Sequence, residues 1–126
     1  MKQKIAAPAI RVFKTKWFSK AAKKAGISDK ELWGAAVALS NGQGDDLGGN
    51  VWKKRLNKNE HRSIIIEKIG DSWIFVFLFA KKDRDNIEDD ELNGFRELAD
   101  LYASYSDADI EKAIKESKLV EITSHG

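Results

Sequence analysis

Hydrophobic residues recur along this chain with two different periods, and these periods divide it into strands and helices. Short apolar or alternating runs predict strands over residues 10–14, 51–56, 62–69 and 73–80. The run 73–80 is apolar on both faces, so it should lie in the middle of a sheet that is covered on both sides. Spacings of three and four residues predict helices over 16–25, 28–41, 92–102 and from Ser106 onward.

Short signals mark the ends of these elements. In the first helix Trp17 and Phe18 belong to one apolar stripe, lysines fill the other face, and Gly26 ends it. Ser28 and Glu31 have the spacing of a capping box, in which the serine oxygen accepts from the Glu31 amide while the Glu31 side chain reaches back. The tight joint between the two helices predicts an αα-hairpin. The Gly, Asp and Asn content of residues 41–50 predicts a loop, with Gly42 at the end of the second helix. Residues 119–122 are expected to form an extended terminal piece.

The order of these elements predicts an α+β fold. An N-terminal strand and the αα-hairpin should pack on a mostly antiparallel four-stranded sheet, with helices following at the C-terminal end. A chain of 126 residues supports one domain, which we place at 10–126 after a flexible tail over 1–9. No apolar run of eighteen residues occurs and no secretory signal is recognisable, so we expect a cytoplasmic protein.

Several classes of chemistry find little support in the composition. Cysteine is absent, which removes disulfides, thiolate nucleophiles and cysteine metal sites. The two histidines, His61 and His125, form no ligand constellation with carboxylates, so we expect neither a metal nor a cofactor. The acidic runs 45–46 and 88–91 fit a solvated loop and a helix start better than a cation site. There is no Gly-x-Ser-x-Gly motif of a serine hydrolase.

Charge is distributed unevenly along the chain. Residues 1–68 carry fifteen Lys and Arg against six Asp and Glu, whereas residues 69–126 carry seven against fourteen. Lys53 and Arg55 are two residues apart, so they project from one face of a strand, and Arg62 opens the next strand. If the strands are neighbours, these groups and the basic residues after residue 80 form one patch that could bind a phosphate chain. Ordinary decoration of exposed strand ends would give the same pattern.

The order of elements and several short motifs resemble the RelE/ParE superfamily of toxins, and more narrowly a HigB-type branch of RelE-like toxins. The resemblance spans residues 10–122. The motifs that carry it are Val-Phe-Lys-Thr-Lys-Trp-Phe at 12–18, Gly-Ile-Ser-Asp at 26–29, Asp-Leu-Gly-Gly at 46–49 followed by Lys53-Lys54-Arg55, Phe-Ala-Lys-Lys-Asp-Arg-Asp-Asn-Ile at 79–87, and the segment 106–122.

The resemblance implies a metal-independent ribonuclease that cleaves mRNA, on ribosomes, by attack of the ribose 2′-hydroxyl. In that pattern Lys53 helps to activate the 2′-hydroxyl, Arg55 and Arg62 hold the phosphate, and Lys82 stabilises charge or assists the leaving oxygen. Arginine suits the phosphate roles because its planar fork binds two oxygens and stays protonated. Further residues of the basic surface are expected to bind RNA: Lys54, Lys58, His61, Lys81 and Arg84.

The chain departs from the family pattern where many RelE enzymes place a tyrosine near the site. The equivalent position here is about Glu88, for which helix capping and proton transfer are both open roles, as exposure and proton transfer are for His61. The resemblance also implies an antitoxin partner, of a helix-turn-helix, HigA-like type. Two other readings stay open: a ParE-like toxin that binds a protein such as DNA gyrase, and an inactive binding protein of the same fold.

Overall fold

The computed structural model describes residues 9–69 and 71–123, within which ten elements follow one another. The predicted tail over 1–9 falls almost entirely outside these residues, as does His125. The elements are β1 (Arg11–Thr15), α1 (Lys16–Ala25), α2 (Asp29–Ser40), β2 (Asp45–Asp46), β3 (Val51–Leu56), β4 (His61–Lys68), β5 (Ser72–Ala80), α3 (Asp89–Ala103), α4 (Asp107–Lys115) and β6 (Leu119–Ile122).

The strands form one sheet in the order β2-β3-β4-β5-β1-β6. Only the pairing of β1 with β5 is parallel, so the sheet is mostly antiparallel as predicted. The predicted number of four strands is wrong for two reasons. The predicted terminal piece pairs with β1 as β6, and Asp45 and Asp46 pair with β3 inside the segment predicted to be a loop.

Helices cover both faces of the sheet, which gives three layers with a core on each side of β5. One core joins α1 and α2 to the sheet through residues such as Phe18, Leu32 and Phe75. The other joins α3 and α4 to the sheet through residues such as Ile64 and Ala99. The predicted central strand is confirmed, because β5 lies between β4 and β1 and its residues enter both cores.

The N-terminal helices differ from their prediction in two respects. α1 packs mainly on β5 and β1, and α2 on β3 and β6, so the sheet positions the two helices and they do not form the predicted hairpin pair. Trp17, predicted to share the apolar stripe of α1 with Phe18, is 51% exposed, whereas Phe18 is fully buried. The helical period places both residues near the core, but Trp17 lies in the first turn, just beyond the end of β1, where it stacks on Phe77 of β5.

The predicted end signals of α2 are confirmed in part. Ser28 is the N-cap residue and its side chain accepts from the Glu31 amide at 3.2 Å. The reciprocal half of the capping box is wrong, because the Glu31 carboxylate accepts instead from the amide of Asn57 in the turn between β3 and β4. At the other end Gly42 has a φ of +82° and its amide bonds to the Leu39 carbonyl, which is the closing turn that a glycine allows.

A bulge in β5 decides which side chains reach the α3 side of the sheet. Ile64 pairs with Phe77 while Ile65 pairs with Phe75, so Val76 is an extra residue in β5. As a result Val76 and Phe77 both belong to the core under α3. The bulge also fixes the register of the last part of β5, in which Phe79 pairs with Arg62.

Arg96 of α3 ties that helix to the loop before β3. Its guanidinium donates to the carbonyl oxygens of Leu47 and Gly48. Gly49 has a φ of +65°, and a β-carbon there would lie 2.7 Å from the Arg96 side chain, so this approach requires glycine. Within the described residues, none of the helices has the length and apolar character needed to cross a bilayer.

Candidate functional site

Two arginines face each other near the end of the sheet at which β3 ends and β4 begins. Arg55 of β3 pairs with Arg62 of β4, and Arg62 in turn pairs with Phe79 of β5. Val51, four residues before Arg55, and Ile64, two residues after Arg62, belong to the core under α3, so both arginines lie on the α3 side. Phe79 pairs with Arg62 and lies on the same side. The sequence prediction that Lys53, Arg55 and Arg62 share one face is therefore confirmed.

Like charges directly opposite each other on neighbouring strands destabilise a sheet, typically by about 0.2–1 kcal/mol. Within the described residues neither Arg55 nor Arg62 forms a salt bridge. The Arg62 guanidinium donates to the backbone carbonyls of Asn59 and His61, at 3.0 and 3.2 Å, which fixes its position without neutralising its charge. A bound anion would relieve the repulsion between the two arginines.

Lys53 is held in place beside this pair. It lies two residues before Arg55 on the same face of β3, and its side chain is only 17% exposed. Its Nζ donates to Asn86 Oδ1 at 3.2 Å and lies 3.9 Å from Asp45 Oδ2. The loop after β5 and the short strand β2 thus fix the ammonium from two sides.

Arg84 completes the group from the loop between β5 and α3. Its guanidinium carbon lies 5.4 Å from the centroid of the Phe79 ring, and Phe79 is the strand partner of Arg62. It donates to the Asn86 carbonyl and forms a bidentate ion pair with Glu91 in the first turn of α3. The hydrogen bond from Arg84 lowers the pKa of Glu91, assisted by the Glu88 amide, and the same bond raises the pKa of Arg84.

We call this group the arginine face; it consists of Lys53, Arg55, Arg62 and Arg84 around the Phe79 ring. Three guanidinium groups and an ammonium on one surface can bind a phosphodiester through charge-assisted hydrogen bonds. They can also stabilise the additional negative charge that develops on phosphorus oxygens during a displacement. Only two carboxylates, Asp45 and Glu91, pair with this face within the described residues.

The remaining residues of the predicted site are not all on this face. Lys82 is exposed and lines a groove beside α1, together with His61. His61 accepts at Nδ1 from the Asn57 side chain if it is neutral, at 3.1 Å. Lys54 points away from Lys53, as predicted, and its Nζ donates to the Gln43 carbonyl. Lys58 is exposed in the turn between β3 and β4, and Lys81 is exposed just after β5, where its amide donates to the Glu60 carbonyl.

These two lysines lie at the same end of the sheet, because the end of β5 meets the start of β4, where His61 pairs with Ala80. Both lysines thus extend the basic surface at this end of the sheet.

Sequence reasoning missed three participants. Asn86 contacts Lys53, and Phe79 supports Arg84, but both depend on a loop conformation and a strand register that no local pattern reveals. Trp17 lies at the groove that Lys82 lines. The one sequence signal for this placement is its position in the first turn of α1, from which a side chain can reach β5 beyond the end of β1.

Proton carriers and metal ligands are scarce around the arginine face. Glu88 is the N-cap residue of α3, which confirms the capping role considered for it. Among residues 9–69 and 71–123, no cluster of three or more His, Asp or Glu side chains is arranged to hold a metal ion.

Comparison with known proteins agrees with this architecture. A family model described as the RelE toxin of the RelE / RelB toxin-antitoxin system matches residues 10–122. No curated protein and no solved structure matches the chain. The family match covers nearly the whole of the chain and includes every strand and helix described above. The chain therefore belongs to the RelE toxin family.

Proposed function

We propose that this protein is the toxin of a type II toxin–antitoxin system and acts as a metal-independent endoribonuclease that cleaves mRNA on the ribosome. The observation that carries the proposal is the unneutralised pairing of Arg55 with Arg62 beside Lys53 and Arg84. Two arginines opposite each other destabilise the sheet, whereas a surface that holds a phosphodiester gains affinity from them.

In the proposed reaction the ribose 2′-oxygen attacks the adjacent phosphorus, the bond from phosphorus to the 5′-oxygen breaks, and the 2′-proton passes to water. The 5′-oxygen takes up a proton from water as it leaves, so the products are a 2′,3′-cyclic phosphate and a 5′-hydroxyl end. Arg55 and Arg62 hold the non-bridging oxygens. Positive charge from Lys53 lowers the energy of the developing 2′-alkoxide.

Lys82 is our candidate for stabilising the leaving oxygen, as the family resemblance implies. Its side chain is exposed in the groove, from which we expect it to reach a bound strand. Arg84 lies over Phe79, the strand partner of Arg62, and contributes further positive charge beside the phosphate.

The composition of the arginine face, among the residues that the structure describes, supports the proposed ribosome dependence. Its members are cations, and the carboxylates Asp45 and Glu91 are engaged with Lys53 and Arg84. A site that supplies charge but no free general base depends on accurate orientation of its substrate, and a ribosome that holds mRNA in a fixed conformation supplies that orientation.

An antitoxin is expected to neutralise the protein by covering the arginine face with acidic or apolar residues. We expect it to be encoded next to this chain and to carry a helix-turn-helix domain of HigA type. Co-expression with the adjacent gene should give a stable complex, and a toxin that is harmless and monomeric when expressed alone would count against this part of the proposal.

Induction of the gene alone, with growth and transcript ends followed together, tests the proposed activity. Wild type should arrest growth and produce new 5′-hydroxyl ends, and the double variant Arg55→Ala/Arg62→Ala should do neither. Lys115→Ala, an exposed change on α4, is the control and should behave as wild type. Growth arrest without new 5′-hydroxyl ends would favour a ParE-like toxin that binds a protein, and an inactive wild type would favour a binding protein without catalysis.

A further inference from the structure

Trp17 presents an aromatic surface to solvent beside the arginine face. Its ring stacks on Phe77, with centroids 5.1 Å apart and planes inclined by 21°. Phe77 packs in turn against Phe95 of α3, so the lower layer of this stack is anchored in the core. With one ring face on Phe77 and 51% of the residue exposed, the remaining surface of Trp17 is open.

A groove of about 510 Å³ lies between Trp17 and the end of β5. Leu78 and Ala80 give it an apolar lining, Lys24, His61, Lys82 and Arg84 contribute basic groups, and Asp83 contributes one carboxylate. Arg84 and Phe79 belong both to this groove and to the arginine face, so the two surfaces are continuous. A nucleotide held in the groove would therefore be close to a phosphate held by the arginines.

The charge of α1 also points to an anionic ligand. The helix carries Lys16, Lys20, Lys23 and Lys24 but no acidic residue, not even in its first turn, where acidic residues stabilise a helix. None of these four lysines forms a salt bridge within the described part of the chain. Lys23 and Lys24 lie in the last turn, where basic residues stabilise a helix, but Lys16 in the first turn does not. The row of lysines as a whole matches the phosphates of a nucleic-acid strand.

We propose that Trp17 stacks on a base of the RNA strand next to the scissile phosphate, and that Lys24 binds the backbone of the same nucleotide. The inference rests on the proposed ribonuclease function and adds a specific subsite to it. A flat aromatic face beside basic side chains is the arrangement by which proteins bind single-stranded nucleic acids. An acidic protein segment would use the lysines but would gain less from an exposed ring anchored by a second ring.

Binding to two labelled 2′-O-methyl oligonucleotides tests the subsite, because this modification prevents cleavage by 2′-hydroxyl attack. One oligonucleotide carries its bases and the other has the same backbone without bases. Trp17→Ala should weaken binding of the first at least about fivefold and leave binding of the second nearly unchanged. Trp17→Phe keeps a ring over Phe77 and should retain much of the affinity.

Lys24→Gln separates charge from stacking. It should weaken binding of both oligonucleotides and reduce the salt dependence of binding by roughly one counterion. Leu101 of α3 is a half-exposed apolar residue like Trp17, so Leu101→Ala is the matched control and should bind both strands as wild type does. Thermal melting of each variant shows whether α1 remains folded, and Trp17→Phe gives a second reading if Trp17→Ala does not.

The outcomes separate this inference from the proposed function. If Trp17→Ala binds the base-containing strand as tightly as wild type while wild type still generates 5′-hydroxyl ends, the stacking subsite is wrong and the ribonuclease proposal stands. If Trp17→Ala binds RNA normally but loses the antitoxin, the groove is a protein interface and the inference is overturned. If wild type neither binds nor cleaves RNA, both proposals fail together.

Discussion

Arg55 and Arg62 occupy directly opposite positions on neighbouring antiparallel strands, on the face of the sheet that carries α3. The repulsion between them works against the fold, so one member of the pair can be removed without a loss of stability. RNA cleavage should fall when either arginine is removed, since each guanidinium binds phosphate oxygens in the proposed reaction.

Arg55→Ala should therefore leave the free energy of unfolding unchanged or raise it by up to about 1 kcal/mol. The same variant should reduce RNA cleavage on the order of a hundredfold, as is typical when one preorganised charge stabiliser is lost. Urea denaturation and mapping of 5′-hydroxyl ends measure the two effects. A stability loss of more than about 1 kcal/mol would mean that Arg55 has a structural partner in solution.

Arg62→Ala should lose as much activity as Arg55→Ala but should behave differently in folding. Arg62 donates to the carbonyls of Asn59 and His61, so its removal also frees the turn before β4. Relief of repulsion and loss of these two bonds oppose each other, and we expect a net change within about 1 kcal/mol. The difference in stability between the two alanine variants, measured under identical conditions, isolates the contribution of the bonds to the turn.

Lys82→Ala tests the residue whose placement departs most from the compact site that the sequence suggests. Lys82 is exposed, so its removal should change stability by less than about 0.5 kcal/mol and leave antitoxin binding intact. If Lys82 assists the leaving oxygen, growth arrest should be lost as in Arg62→Ala. Full toxicity of Lys82→Ala together with inactive Arg84→Ala would transfer this role to Arg84.

The sequence was a good guide where local patterns decide structure. Helical periodicity placed α1 at its observed bounds, and the two-sided apolar run identified the central strand. The alternation along β3 was enough to separate Lys54 from Lys53 and Arg55, because successive side chains of a strand must point to opposite faces. The grouping of Arg62 with Arg55 needed one further condition, that β3 and β4 are neighbours.

Features that depend on distant contacts could not be predicted in this way. The bulge at Val76, which sets Phe79 opposite Arg62, arises from pairing with β4 and leaves no mark in the composition of β5. Trp17 fits the helical stripe of α1, yet the short β1 ends before it and leaves it beside the edge of β5. Glu31 has capping-box spacing, but a partner twenty-six residues away takes its carboxylate.

Glu31→Ala tests that long-range contact. The carboxylate accepts from the Asn57 amide at the start of a turn in which three consecutive residues, Asn57 to Asn59, have positive φ values. Loss of a hydrogen bond to a charged group costs about 1.5–3 kcal/mol, so the variant should be clearly less stable. Amide exchange should accelerate in the turn, whereas Lys30→Ala, an exposed change on the same helix, should leave it unchanged.

The ion pair between Arg84 and Glu91 predicts a pH dependence confined to the acid range. The Arg84 hydrogen bond is the main cause that lowers the pKa of Glu91, and the Glu88 amide adds to it. Because this pKa is depressed on folding, the stabilisation is present above the unfolded value and is lost as the pH falls through the folded value. Arg84→Ala should raise the Glu91 pKa in a carboxyl-detected NMR titration. Asp109, whose pKa is lowered mainly by hydrogen bonds from Ser106, serves as the internal control and should titrate as before. An unchanged Glu91 titration would mean that the Glu88 amide alone holds the carboxylate and that Arg84 is free to move on the arginine face.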